Sequence, residues 1–342
     1  MREEVDYRTM RRMGDRLDEY RRKRDPKRTP EPVPERTPRK RRGDRFVIQQ
    51  HHARSLHWDL RLERDGVLAS WAVPRGLPRD SRNHLAVHTE DHPLEYLDFH
   101  GEIPAGEYGG GKMTIFDRGT YTCDKWRDDE VMVVLRGERV SGRYVLFRTG
   151  GKDWMIRRMD PPPGWTEQPE LVRPMTASPA RRLPAEDAAW AYEMRWSGVR
   201  AVGYVSGGRL RLLSDDDTEI TGDYRQLRPL AEELAPTEAV LDGVVTTLRQ
   251  PKRKPTVQYL LFDLLWLEGV STVELPYAQR RELLDGLALA GPHWQTPPHF
   301  PGGGAYALDA ARDQSLSGVI AKRLDSPYAP GKRPRTWLSL DT

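Results

Sequence analysis

Cysteine is almost missing from these 342 residues: Cys123 stands alone, so neither an intramolecular disulfide nor a cysteine-based zinc finger can be built. Long apolar runs are missing as well. No stretch of about 18 apolar residues occurs, and the opening MREEVDYRTMRRMGDR holds no leader-like apolar core. The sequence therefore predicts a cytoplasmic, nucleoid-associated protein. There is no large excess of one charge sign, 55 Lys plus Arg standing against 51 Asp plus Glu, and no repeat of fixed period. Apolar residues make up only 37%, which still suffices for packed cores. The length exceeds that at which one core usually stays single, so two domains are expected.

Charge is unevenly spread. Residues 1–45 hold 17 Lys or Arg against 10 Asp or Glu, which makes them a basic arm suited to a polyanion such as nucleic acid or to an anionic surface. Met10, Met13, Leu17 and Tyr20 recur at helical spacing and predict a helix from Glu3 to Arg24. The prolines of KRDPKRTPEPVPERTP then impose an extended path. Residues 46–158 read as many short strands separated by turn residues, a small antiparallel β-barrel; SLHWDLRLE, RDG and VLASWAVP form a hairpin. The Pro-rich residues 159–175 read as a linker, and 176–342 as a mixed α+β domain.

In a strand, residues two apart share a face. His57, Asp59 and Arg61 therefore project one way while Leu56, Trp58, Leu60 and Leu62 project the other, and a bend near HHAR would bring His51 to the same spot. Two imidazoles and a carboxylate suit Mn, Fe or Zn with open positions, and Arg61 would add a planar donor for phosphate oxygens. EDHPLEY places Glu90, His92 and Tyr96 at even spacing, on one face if the strand continues. His92 is the natural general acid, with a pKa that can be poised near neutrality, and Gln49 can orient a ligand or phosphate. GEIPAGEYGGGK lacks the ending and helix context of a P-loop and reads as a tight barrel turn.

RDPKRTPEP, FVIQQHHARSLHWDLRLERDGVLASWAVPRG, EDHPLEY, GEIPAGEYGGG and DRG, in that order, resemble the 3′-phosphoesterase module of bacterial ligase D. The resemblance implies a β-barrel with a manganese-preferring site, Zn²⁺ or Co²⁺ being possible occupants. Such a site trims a ribonucleotide and then a 3′-phosphate from DNA or RNA-capped DNA 3′ ends of a primer-template. It implies His51, His57 and Asp59 as metal ligands, and phosphate or catalytic roles for Arg61, His92 and Tyr96 with Glu90 in support. Arg24, Asp25 and Glu31 match the arm motif that folds back to the site. The chain departs from the family at His84, where an arginine is common, at Arg75, where lysine is usual, and at Gln49-Gln50-His51. His84 would make one phosphate contact weak or pH-dependent.

RPMTAS, YEMRWSGVRA, VLDGVV, YLLFDLLWLEG and SGVIAKRLDSPYAPGKRPRTW resemble the nucleotidyltransferase domain of ATP-dependent DNA ligases. The family's Lys-x-Asp-Gly is here Arg195-Trp196-Ser197-Gly198. Arginine, with a pKa of about 12.5 to 13.8, has no usable lone pair for attack on ATP, so no covalent adduct is expected. Val244, Ser317 and Ser339 replace two acids and a lysine, while Arg200, Lys322 and Lys332 remain. Phe262, Leu264, Leu265 and Trp266 read as core, and Lys322, Arg323, Lys332, Arg333 and Arg335 as a basic surface.

The sequence thus describes an α+β protein, a barrel phosphoesterase joined to a degenerate ligase-like domain. Its implied partners are DNA 3′ ends, a Ku-like end-binding protein and a separate ligase or polymerase, with no membrane. Three rivals stay open: a non-catalytic DNA end-binding scaffold, a residual ATP-dependent ligase, and a non-haem iron oxygenase built on His57, Asp59 and a distant His92.

Overall fold

The computed structural model describes residues 15–37, 43–248 and 255–342, which fall into two compact units meeting at Pro162 and Pro163. The residues 1–14 of the expected long helix, Met10 and Met13 among them, lie outside the described residues; its described part is a single short helix, α1 (Asp18–Arg22). No helix among the described residues is long and apolar enough to cross a membrane.

The first unit is a closed antiparallel barrel. Its strands are β1 (Arg45–His52), β2 (Leu56–Arg64), β3 (Val67–Val73), β4 (His84–His88), β5 (Gly101–Ile103), β6 (Gly111–Trp126), β7 (Glu130–Gly137), β8 (Ser141–Gly150) and β9 (Asp153–Arg158). The order β1-β2-β3-β4-β9-β8-β7-β6 closes because β6 also pairs β1, and β5 adds to β6 outside the ring. Closure leaves no long edge to aggregate. The expected hairpin is present: Asp65 and Gly66 both take positive φ (54° and 85°), the turn that matches strand twist. At Gly119, strand β6 faces Phe46 on one side and Gly137 on the other, and a Cβ there would lie 2.0 Å from the Arg136 carbonyl oxygen. Only glycine fits that junction.

Asp117 gives the DRG sequence that it opens a structural reason. Its buried carboxylate accepts from four backbone N–H groups, of Arg118 (2.8 Å), Glu138 (3.1 Å), Arg139 (3.1 Å) and Val140 (2.7 Å), and so holds the turn between β7 and β8. Asp117→Ala strands these donors. It is expected to lower unfolding free energy by about 3 kcal/mol, read as a shifted urea midpoint with an unchanged slope.

The arm is part of this unit rather than a separate tail. Leu17 and Tyr20 are fully buried against Val47, Leu68 and Tyr96, and the Tyr20 hydroxyl donates to the Pro32 carbonyl (2.8 Å) where the Pro-rich stretch doubles back.

The second unit begins earlier than expected. Residues 159–175 are indeed strand-free, but Trp165, Val172 and Met175 pack into its core, and Thr166 N–H donates to the Gly269 carbonyl. Two sheets follow. One comprises β10 (Ser178–Ala180), β11 (Trp190–Met194), β18 (Phe300–Pro301), β19 (Gly318–Arg323) and β20 (Trp337–Asp341). The other comprises β12 (Val199–Ser206), β13 (Arg209–Ser214), β14 (Ala239–Leu248), β15 (Thr256–Leu267) and β16 (Val270–Ser271), with β17 (Trp294–Gln295) alongside β15. The stretch AWAYEMRWSGVRAVGYVS, continuous in its apolar pattern, breaks at Arg195–Gly198 into β11 and β12 of different sheets. Helices α2 (Pro229–Leu234), α3 (Tyr277–Gly286) and α4 (Gly304–Asp313) complete the mixed α+β unit. Leu264, Leu265 and Trp266 are core; Phe262 is only half-buried and faces a cavity.

Candidate functional site

His51 and His57 are not joined by a bend within one strand. They are direct cross-strand partners on β1 and β2, with Gln49 opposite Asp59 and Val47 opposite Arg61. The same antiparallel register puts Ile48 opposite Leu60 and Phe46 opposite Leu62 on the other face, where they fill the barrel. The polar face is buried too, roofed by the arm and by residues 89–109. The result is a cavity of about 160 Å³.

The ligand atoms of His51, His57 and Asp59 all lie within 4.8 Å of one another. His51 Nε2 is 2.9 Å from the Gly109 carbonyl and His57 Nδ1 is 3.0 Å from the Ser55 carbonyl, so each ring donates outward to backbone. That fixes both tautomers with the second nitrogen, a lone pair, turned to Asp59 at 3.6 and 3.8 Å. Burial would raise the Asp59 carboxyl, but the Arg61 guanidinium beside it outweighs burial and holds it below the usual carboxylate range. Two oriented lone pairs and an ionised carboxylate fit a divalent transition metal.

Arg61 is nearly inaccessible. Its Nε donates to Gln49 Oε1 (2.7 Å) and its Nη2 to Asp59 (3.1 Å), while Nη1 is buried without a partner. An unsatisfied guanidinium donor at the wall of a cavity calls for an anion. Gln49 orients the arginine rather than a ligand, for its own amide donates to the Tyr96 and Phe99 carbonyls.

Glu90, His92 and Tyr96 reach the same cavity, though not along one strand. β4 stops at His88, His92 makes an isolated bridge to Leu68, and Tyr96 lies in a 3-10 turn, Leu94–Leu97. The arm closes the roof: Arg24 donates to Glu31 (2.6 Å) and Glu90 (3.0 Å), and the Tyr96 hydroxyl donates to Glu31. Burial pushes the Tyr96 hydroxyl far up, so it stays a donor. Lys23, Tyr108 and the Gly109 carbonyl were missed by sequence reasoning. Lys23 pairs with Glu90 (2.9 Å) and donates to the Tyr108 hydroxyl (3.2 Å), and the only signal was adjacency to the arm motif and to the glycine-rich turn.

Three expected residues are elsewhere. Asp25 is exposed and holds a turn by accepting from Lys27 N–H; Arg75 is exposed and off the cavity. His84 is buried with Nδ1 2.7 Å from the Gly76 carbonyl and does not line this cavity. His92 is also not poised near neutrality. Burial, then Arg61 and Arg24, press its pKa well below the ordinary range. Its Nδ1–H donates to the Glu90 carbonyl (2.8 Å), leaving Nε2 as acceptor 3.4 Å from Arg24. The oxygenase triad drawn with His92 is thereby corrected: His51 is the second imidazole. Because unfolded His92 takes up a proton near pH 6.5 and folded His92 does not, stability should fall as pH drops through that value. The urea-unfolding free energy of His92→Gln is expected to lose less than that of the parent between about pH 7.5 and 5.5.

In the second unit a cavity of about 240 Å³ is lined by Arg195, Arg200, Val244, Phe262, Lys322 and Ser339, among others. Ser197, Gly198 and Lys332 do not line it. Arg195 donates to the Ser317 hydroxyl (2.9 Å) and carbonyl (2.5 Å), the Ser339 hydroxyl (2.6 Å) and Asp341 (2.7 Å). Arg200 grips Asp242 with both arms (2.7 and 2.6 Å). Lys322 is buried, not part of a basic surface: it pairs with Glu193 (2.8 Å) and lies over Trp337 (4.2 Å) and Phe262 (4.6 Å). Glu193 and Trp337 lie inside the ligase-like motifs, but sequence reasoning assigned neither a role of its own.

The class defined here is a β-barrel of phosphoesterase type joined to a nucleotidyltransferase fold of ligase type. Residues 49–148 match the DNA Ligase D 3′-phosphoesterase domain, and residues 169–340, half of the chain, match the ATP dependent DNA ligase domain. The chain belongs to the ATP-dependent DNA ligase family, in the ligase D form that also carries a 3′-phosphoesterase domain. It is 43% identical to the multifunctional non-homologous end joining protein LigD of Mycolicibacterium smegmatis, over 95% of this chain and 45% of that protein. It is 44% identical to the multifunctional non-homologous end joining DNA repair protein LigD of Mycobacterium tuberculosis, with the same coverage. A solved mycobacterial DNA ligase D, complexed with ATP and MES, matches at 35% identity and TM-score 0.46 over 50% of this chain and 60% of that one. The chain thus spans about half the length of the curated relatives it matches.

Proposed function

We propose that the barrel is a metal-dependent, manganese-preferring 3′-phosphoesterase and 3′-ribonuclease. It would heal DNA 3′ ends for non-homologous end joining, alongside a Ku-like end-binding protein and a separate ligase or polymerase. The observation that carries this is the His51, His57 and Asp59 cluster beside the partnerless Nη1 of Arg61. His51, His57 and Asp59 would hold the ion, which when bound supplies positive charge to the phosphoryl group and a more acidic water. Arg61 binds a phosphoryl oxygen through Nη1. His92 enters neutral, and a phosphate dianion beside it raises its proton affinity, so Nε2 takes up and returns a proton at the ester. Glu31, held by Arg24, fixes the Tyr96 hydroxyl, and Glu90 anchors the arm over the cavity.

The ligase-like unit, on this reading, forms no lysyl adenylate, because Arg195 replaces the nucleophile and is fully engaged by Ser317, Ser339 and Asp341. The test uses a primer-template ending in 3′-phosphate, with Mn²⁺ or with chelator. Phosphate release only with metal is expected. Release that survives chelation would overturn the metal mechanism, and none in either condition would favour an end-binding scaffold.

A further inference from the structure

Residues 88–92 are shared between two different cavities. Thr89, Glu90 and His92 line the metal-site cavity, whereas His88 and Asp91 line a second, of about 350 Å³, at the mouth of the barrel. That volume is within the usual range for ligand sites, about 300 to 1,000 Å³. Its wall is aromatic. Trp71 lies 5.2 Å from His88, 5.7 Å from Trp154 and 6.3 Å from Trp126 between ring centroids, and His88 stacks nearly parallel on Trp154 (29°).

Core side chains normally interdigitate until no such space remains. Here three indoles and an imidazole border an opening instead. Trp71 is buried, and its indole N–H has no partner among the described residues. The rim carries Arg16, Arg127 and Arg148 against Asp91 and Asp128, and Arg16 already pairs with Asp91 (2.7 Å). That leaves Arg127 and Arg148, both exposed, facing one carboxylate. An aromatic wall with a cationic rim, where the Arg64 guanidinium already lies over Trp126 (4.3 Å), is what an unpaired base and its phosphate require. A neutral or basic peptide would leave the excess cations unanswered.

We infer that the barrel mouth binds one unpaired nucleobase, on the template-strand overhang of the nucleic acid whose 3′ end enters the neighbouring cavity. The base site stands on its own geometry; its link to a 3′ end rests on the function proposed above.

The experiment measures binding of labelled duplexes by anisotropy, in chelator so that no turnover occurs. The full chain meets three probes: a recessed 3′-phosphate end with a 5′ overhang, the same with an abasic overhang, and a blunt end. The base-bearing overhang is expected to bind about 10-fold more tightly than the other two. Trp126→Ala should abolish that preference, and Trp126→Phe should keep most of it. An abasic overhang binding as well as a normal one, or Trp126→Ala weakening all three probes equally, would overturn the inference. If no duplex binds, the end-repair reading fails separately. A single-stranded oligonucleotide that then quenches tryptophan fluorescence in the parent but not in Trp126→Ala would still support the base site, and its failure to do so would sink it.

Discussion

Asp59→Ala is expected to lower 3′-phosphate release by about a thousandfold, the equivalent of about 4 kcal/mol of transition-state stabilisation. Three losses coincide in this one side chain. The lone pairs of His51 and His57 lose the carboxylate toward which both are turned, so the ion loses its charged ligand. Arg61 Nη2 loses its acceptor and joins Nη1 as a partnerless buried donor. The guanidinium then rests on Gln49 alone and no longer presents a fixed fork to phosphate. Metal titration separates these effects. Activity of Asp59→Ala that returns at high Mn²⁺ would assign the loss to the ion, whereas activity that stays low with metal bound would assign it to Arg61. Unaltered release at ordinary metal concentration would contradict the whole assignment.

How much of this site was legible in the sequence follows from the kind of pattern involved. Period-two alternation placed His57, Asp59 and Arg61 on one face, because a strand's side chains obey that rule whatever surrounds them. Pairing partners obey no local rule: that His51 faces His57 across a hairpin follows from the register of β1 and β2, which side-chain packing sets. The even spacing of Glu90, His92 and Tyr96 led to the right residues for a wrong reason, since a bridge and a 3-10 turn, not one strand, deliver them to the cavity. Family motifs carried Asp25 to the site where only its neighbour Arg24 arrives; adjacent residues diverge at a turn. The reverse holds for His88 and Trp154, which no motif touches and which only barrel closure brings face to face.

Incubation with labelled ATP is expected to leave no covalent adenylylate on the protein, and Arg195→Lys alone is expected not to restore one. A lysine restored at 195 would meet the surroundings that now hold arginine. Asp341, 2.7 Å from the present guanidinium, would keep the new ammonium charged, and Ser317 and Ser339 would offer oxygens where the family places an acid and a lysine. Attack on ATP needs the neutral amine, so the pocket works against the nucleophile even after it returns. The buried half of the pocket is more conservative: Lys322 over Phe262 and Trp337, and Arg200 on Asp242, remain packed and paired. A variant combining Arg195→Lys with Ser197→Asp, Ser317→Glu, Ser339→Lys, Val244→Glu and Asp341→Asn, which removes the charge beside the amine, is therefore the one expected to recover some label. A stable label on the unaltered chain would show that a residue other than Arg195 is the nucleophile, and its mapped position would replace the assignment made here. Ser317 and Ser339 bind Arg195 directly and Val244 lines the same cavity, so these positions are expected to act together.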